Sequence, residues 1–262
     1  MRNIKFSISI LLLSILASCT KDPAPNLAWK FSDKDELKYS YIQTSKAKQS
    51  IGEREKVNEF KLQGFLALMI QEDTTANLEL RDVTSSMWFP GSTDTARNIA
   101  EDNIIALGLQ TNGKPVNPSQ KGSDIFEFLF ILPDSTLAAG ESITRPTKFP
   151  FNASDGVYWI RGEQKITLKE YKEINGEKVA VILTEISASE MDAPAELKKQ
   201  FDCAVKGASE FEFNMKEQLF NSGTIDLNID LTNRQFGEDG ITTIKTISDV
   251  HYDLKLIEFT SK

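Results

Sequence analysis

The chain has 262 residues, enough for one large domain or two small ones with a real core. Hydrophobic residues make up 40% and charged residues 26%, a globular composition that excludes a disordered polymer. With 30 basic against 38 acidic residues the net charge is −8, which excludes a phosphate-neutralising surface for nucleic acid.

The N-terminus, MRNIKFSISILLLSILASC, places Arg2 and Lys5 before an apolar run from about Ile8 to Leu16, then small residues. This is the order of a secretory signal, and it is too short to remain as a transmembrane helix. Leu16-Ala17-Ser18-Cys19 resembles the lipobox of bacterial lipoproteins. The resemblance implies that residues 1–18 are removed, that the Cys19 sulfur receives a diacylglycerol, and that the new amino terminus is acylated, palmitate being the usual kind of chain. Several chains on one residue anchor firmly, since each buried CH₂ contributes roughly 0.8 kcal/mol. Thr20 stands where inner-membrane lipoproteins of enterobacteria carry aspartate, so the resemblance implies an outer-membrane lipoprotein of a Gram-negative envelope. Cys19-Thr20-Lys21-Asp22 loosely resembles a surface-export signal, but Pro23 replaces its second acidic residue. Periplasmic and cell-surface orientations both stay open. Loss of Arg2 and Lys5 leaves 28 basic against 38 acidic residues, a net of −10. Acylation of Cys19 leaves Cys203 alone, so no intrachain disulfide forms.

Residues 19–30 carry Pro23 and Pro25 without periodicity and read as a lipid-attached flexible tether. The body is expected over 31–262. Phe60, Leu62, Leu66, Leu68 and Ile70 alternate with polar residues, the pattern of a strand with one buried face. Helical spacing of Ala96, Ile99, Ala100, Ile104 and Leu107 predicts a helix over 93–107. KGSDIFEF follows at 121–128, and Phe126, Phe128 and Phe130 are expected on one face of a strand. Asn175-Gly176 marks a hairpin, because both turn residues must take positive φ. Ala193, Leu197, Phe201 and Ala204 predict a second helix over 192–205. KGASEFEF at 206–213 repeats the earlier motif, with Phe211 and Phe213 on the equivalent face. Clean alternation over 225–231 and 250–256, with Asp239-Gly240 between them, predicts a last hairpin.

The order β-β-β-α-β therefore occurs twice, over about 31–130 and 137–216, followed by final strands at 223–262. The expected class is mainly β (α+β): an internally duplicated antiparallel curved sheet or half-barrel with two short helices. Such a sheet loosely resembles the half-barrel of the periplasmic lipoprotein carrier and its outer-membrane receptor, a likeness of architecture without a shared motif. Two roles for Phe126, Phe128, Phe130, Phe211 and Phe213 follow. They form core under the helices, or they line a groove for an acyl chain or other apolar ligand.

Chemistry is sparse. His251 is the only histidine and alternates with apolar residues on the polar side of its strand, so a His-rich zinc site is excluded. Cys203 is expected on its helix as a partly exposed thiol. Asp33-Lys34-Asp35-Glu36 and Glu238-Asp239-Gly240 lack the spacing of a calcium loop and read as solvated turns. No cofactor or metal is expected. The function expected is non-enzymatic binding or scaffolding, for an apolar ligand or an envelope protein. The alternative is an anchored hydrolase acting on envelope glycans through a carboxylate pair.

Overall fold

The computed structural model describes residues 25–71, 74–88, 96–99, 103–116, 128–153, 156–237 and 240–261. Period-two alternation dominates the chain and yields eleven strands among the described residues. They are β1 (Lys34–Ile51), β2 (Arg54–Gln71), β3 (Thr75–Trp88), β4 (Ala96–Ile99), β5 (Asn103–Gln110) and β6 (Ser142–Ala153). β7 (Gly156–Ile174), β8 (Glu177–Asp192), β9 (Phe201–Asn214), β10 (Leu219–Gly237) and β11 (Gly240–Ser261) follow, with α1 (Ala195–Gln200) before β9. All pair antiparallel in one open, curved sheet, in the order β4-β3-β2-β1-β11-β10-β9-β8-β7-β6, with β5 also on β3. The last strand, β11, lies between β1 and β10 and joins the two halves of the chain into one sheet.

Turn chemistry sets the hairpins. Asn175 and Gly176 take φ of +53° and +80° between β7 and β8, as a two-residue hairpin turn requires. Gly237 pairs with Gly240 at the foot of the β10–β11 turn. At the β6 edge, Pro146 and Pro150 share one parity and remove two backbone donors from the row facing away from β7. A strand edge with such gaps is a poor template for adding another chain.

The core fills the concave face. Leu37, Tyr39 and Tyr41 on β1, Leu66 and Leu68 on β2, and Tyr252 and Leu254 on β11 are all buried there. Two non-strand segments pack onto this face. Residues 27–31 bring in Leu27, Trp29 and Phe31, and residues 128–132 bring in Phe128 and Phe130. Trp29 lies within 5.0 Å of the Phe220 ring and 5.6 Å of Phe130, and its backbone N–H donates to Thr111 at 2.7 Å. Phe128 lies 5.6 Å from Tyr252 on β11 and 6.0 Å from Phe149 on β6, strands at the middle and edge of the sheet. One ring reaches both because the sheet curls around it.

Several sequence expectations are corrected. The tether is shorter than residues 19–30: Leu27, Trp29 and Phe31 alternate inward and belong to the body. The described part of the helix expected over 93–107 is strand, β4 and β5. The segment finds a ladder instead: Asn103, Ile104 and Ala106 pair with Leu80, Glu79 and Leu78 of β3, with Ile105 at a register shift. The second helix is reduced to the six residues of α1 after Pro194, because Phe201, Ala204 and Val205 complete a ladder with β10. Among the described residues α1 is the one helix, where two were expected. Lys206-Gly207 sits inside β9 and is not a helix exit. Lys121 to Glu127, including Phe126, lie outside the described residues, and Phe128 and Phe130 stand on a buried non-strand segment.

Candidate functional site: an apolar trough on the concave face

One residue row beyond the Tyr252 layer, the concave face is not filled. A trough of about 820 Å³ crosses five neighbouring strands there, within the usual size of a ligand pocket. Its lining comes as residue triplets centred on Ser45 (β1), Phe60 (β2), Val250 (β11), Leu227 (β10) and Gly207 (β9). These five are mutual cross-strand partners. Each shares parity with a core residue of its own strand, such as Tyr41 for Ser45 and Tyr252 for Val250. They therefore form the floor. Ser45 supplies its polar side chain, and Trp88, 40% exposed at the end of β3, lines one end.

The charged members of the triplets have the opposite parity, that of the convex face, and several of them are paired there. Lys46 bonds Glu59 at 3.1 Å, His251 Nδ1 lies 2.7 Å from Asp226 Oδ1, and Asn228 donates to Asp249 at 2.8 Å. His251 is thus the solvated histidine its alternation predicts. The three carboxylates are each held by a different neighbour and none lies on the floor. Among the described residues no cluster of metal-ligating side chains occurs.

The other singled-out residues are structural in their surroundings. Phe211 and Phe213 share the concave face of β9, as expected, but are 0% and 1% exposed. Phe130 contacts Phe211 and Phe220, and Phe213 contacts Phe220, at centroid distances of 5.1 to 6.1 Å. These rings are packed against one another as core; the trough lies beside them, floored by Phe60 instead. Cys203 is not an exposed helical thiol: it faces inward from β9, and burial, with Asp230 nearby, pushes its thiol up to about 11. At the entry to β1, hydrogen bonds from Lys30 and then Lys34 hold the Asp33 carboxyl down at about 2. Cys19 lies outside the described residues.

Comparison with known proteins names no relative. No family model matches the chain, and no curated protein matches it. A solved structure of a DUF1329 family protein from Desulfovibrio piger aligns over 85% of this chain and 86% of that one, with 10% identity and a TM-score of 0.13. Similarity at that level says nothing about what this chain binds.

The signal that sequence reading missed is positional. Alternation marks Val250, Leu227 and Phe60 as inward-facing, but so does every core residue. Only the register that aligns them with Ser45 and Gly207, a small side chain and none, makes a gap in that row.

Proposed function

We propose that the chain is a lipid-anchored, non-enzymatic binding protein of a Gram-negative outer membrane, tethered through acylated Cys19 and taking an apolar ligand into the trough. The observation that carries the binding role is the trough itself. Four of its five floor positions are apolar or glycine, and the ion pairs Lys46–Glu59 and His251–Asp226 of the same strands lie on the other face. A hydrocarbon surface laid on Phe60, Leu227 and Val250 gains roughly 25 cal/mol for each Å² removed from water. The lipobox supports the anchor, and Thr20 after Cys19 supports the outer membrane.

Native mass spectrometry of the body (residues 20–262), purified gently from a Gram-negative periplasm, tests this reading. A lipid-sized mass should accompany the protein and be lost in Ser45→Trp, which fills the trough from a half-buried position without emptying the core. A bare wild-type mass, or a ligand retained by Ser45→Trp with native circular dichroism, overturns it.

A further inference from the structure

The trough floor is part of a longer row of paired residues. From Phe60 the row passes through Ser45, Val250 and Leu227 to Gly207. Its next members are Ile186 on β8 and Gln164 on β7. The lining ends between them: Gly207 lines the trough, whereas Ile186 and Gln164, both buried, do not. Gln164 accepts a hydrogen bond from Arg145 at 2.9 Å, but its buried Nε2 has no acceptor. A hydrocarbon pushed past Ile186 would meet an unsatisfied amide, so the region beyond is closed by packing and by polarity.

Gly207 has a second role at this step. A Cβ placed on it would fall 2.4 Å from Leu227 Cδ2 and 2.7 Å from the Asp226 backbone oxygen, so the leucine side chain lies in part of the space a side chain at 207 would take. Without that side chain, Leu227 stays down and the row stays open as far as β9.

We propose that the step from Gly207 to Ile186 is the end stop of the trough and sets the longest straight hydrocarbon chain it accepts. This rests on reading the trough as an apolar-ligand site. From β2 to β9 the floor crosses four strand spacings, about 19 Å. That compares with about 15 Å for one leaflet of a bilayer's hydrocarbon core. The trough is one row wide, which suits an unbranched chain, and its floor carries no charge, which suits a neutral one.

The test is displacement of anilinonaphthalene sulfonate from the body (residues 20–262) by straight-chain alcohols from octanol to octadecanol. Each methylene that finds an apolar wall tightens binding about fourfold. Wild-type affinity should therefore climb with length and then level off. Ile186→Ala should move the levelling point up by about one strand spacing, roughly four methylenes. Ile186→Val, a milder change should the alanine variant unfold, should move it up by less. Gly207→Ala, which drives Leu227 into the trough, should move it down. Levelling at one length in wild type and folded variants alike overturns the stop while leaving the trough reading intact. Failure of every alcohol to bind wild type overturns the trough reading and the stop with it.

Discussion

The ring of Phe211 lies across the backbone of Gly223 on the neighbouring strand, so close that a Cβ at 223 would fall 2.1 Å from Phe211 Cδ1. The ring cannot move aside, because Phe130 and Phe220 hold it at centroid distances of 6.1 and 5.5 Å. Replacing a strand glycine by alanine ordinarily helps, by roughly 0.4–1 kcal/mol through the unfolded chain. Here the sign reverses, and Gly223→Ala should cost about 3 kcal/mol, the upper range for overpacking. Urea unfolding of residues 20–262 measures it. Adding Phe211→Leu should recover part of the loss, and a double variant as weak as the sum of the singles would show that the two positions are uncoupled.

Cys203 should be inert while the protein is folded. A thiol pushed up to about 11 presents roughly a hundredfold less thiolate at pH 8 than one at its ordinary value near 9. Burial slows it further. Iodoacetamide labelling followed by mass should show an unmodified native chain and complete modification in urea. Rapid labelling of native protein would place the thiol outside the ladder that β9 forms with β10.

Removal of the lipid attachment site should release the body from the membrane. Wild type is expected in the detergent phase on partitioning and with the outer membrane on a sucrose gradient, and Cys19→Ser in the soluble fraction. Identical partitioning of the two would discard the lipobox reading. Protease applied to whole cells then distinguishes a surface from a periplasmic orientation.

Acid stability should carry a component from Asp33. Its folded carboxyl is depressed from 3.8 to about 2, first by the hydrogen bond from Lys30 and then by that from Lys34. A depressed carboxylate stabilises the fold fully above its ordinary value and loses that contribution as pH falls through about 2. Between pH 4 and pH 2 wild type should therefore lose stability more steeply than Asp33→Asn. Carboxyl chemical shifts followed through the same range give the titration directly, and a midpoint near the ordinary value would remove this contribution.

Much of the fold was legible because a strand with one wet face carries its signature locally. Alternation at 225–231 and 250–256 marked β10 and β11, and Asn175-Gly176 marked the β7–β8 turn, since each depends on neighbours within a few residues. The failures came where local patterns are ambiguous. Ala96, Ile99, Ala100, Ile104 and Leu107 fit a helical spacing, but β3 offered the described part of the segment a ladder, which decided for the strand. Phe201 to Val205 read as the end of a helix until β10 offered them a ladder.

By itself, then, the sequence determined the antiparallel class of the fold, the inward faces of its long strands and the motif that resembles a lipidation signal. Tertiary structure alone decided that β11 joins both halves into one sheet, that Phe128, Phe130, Phe211 and Phe213 are core, and that Ser45 and Gly207 fall in one row with Phe60, Leu227 and Val250. The reason is physical: alternation fixes which way a side chain points, but only the register between strands distant in sequence fixes what it points at, and a trough exists where that register sets a serine and a glycine into an otherwise apolar row.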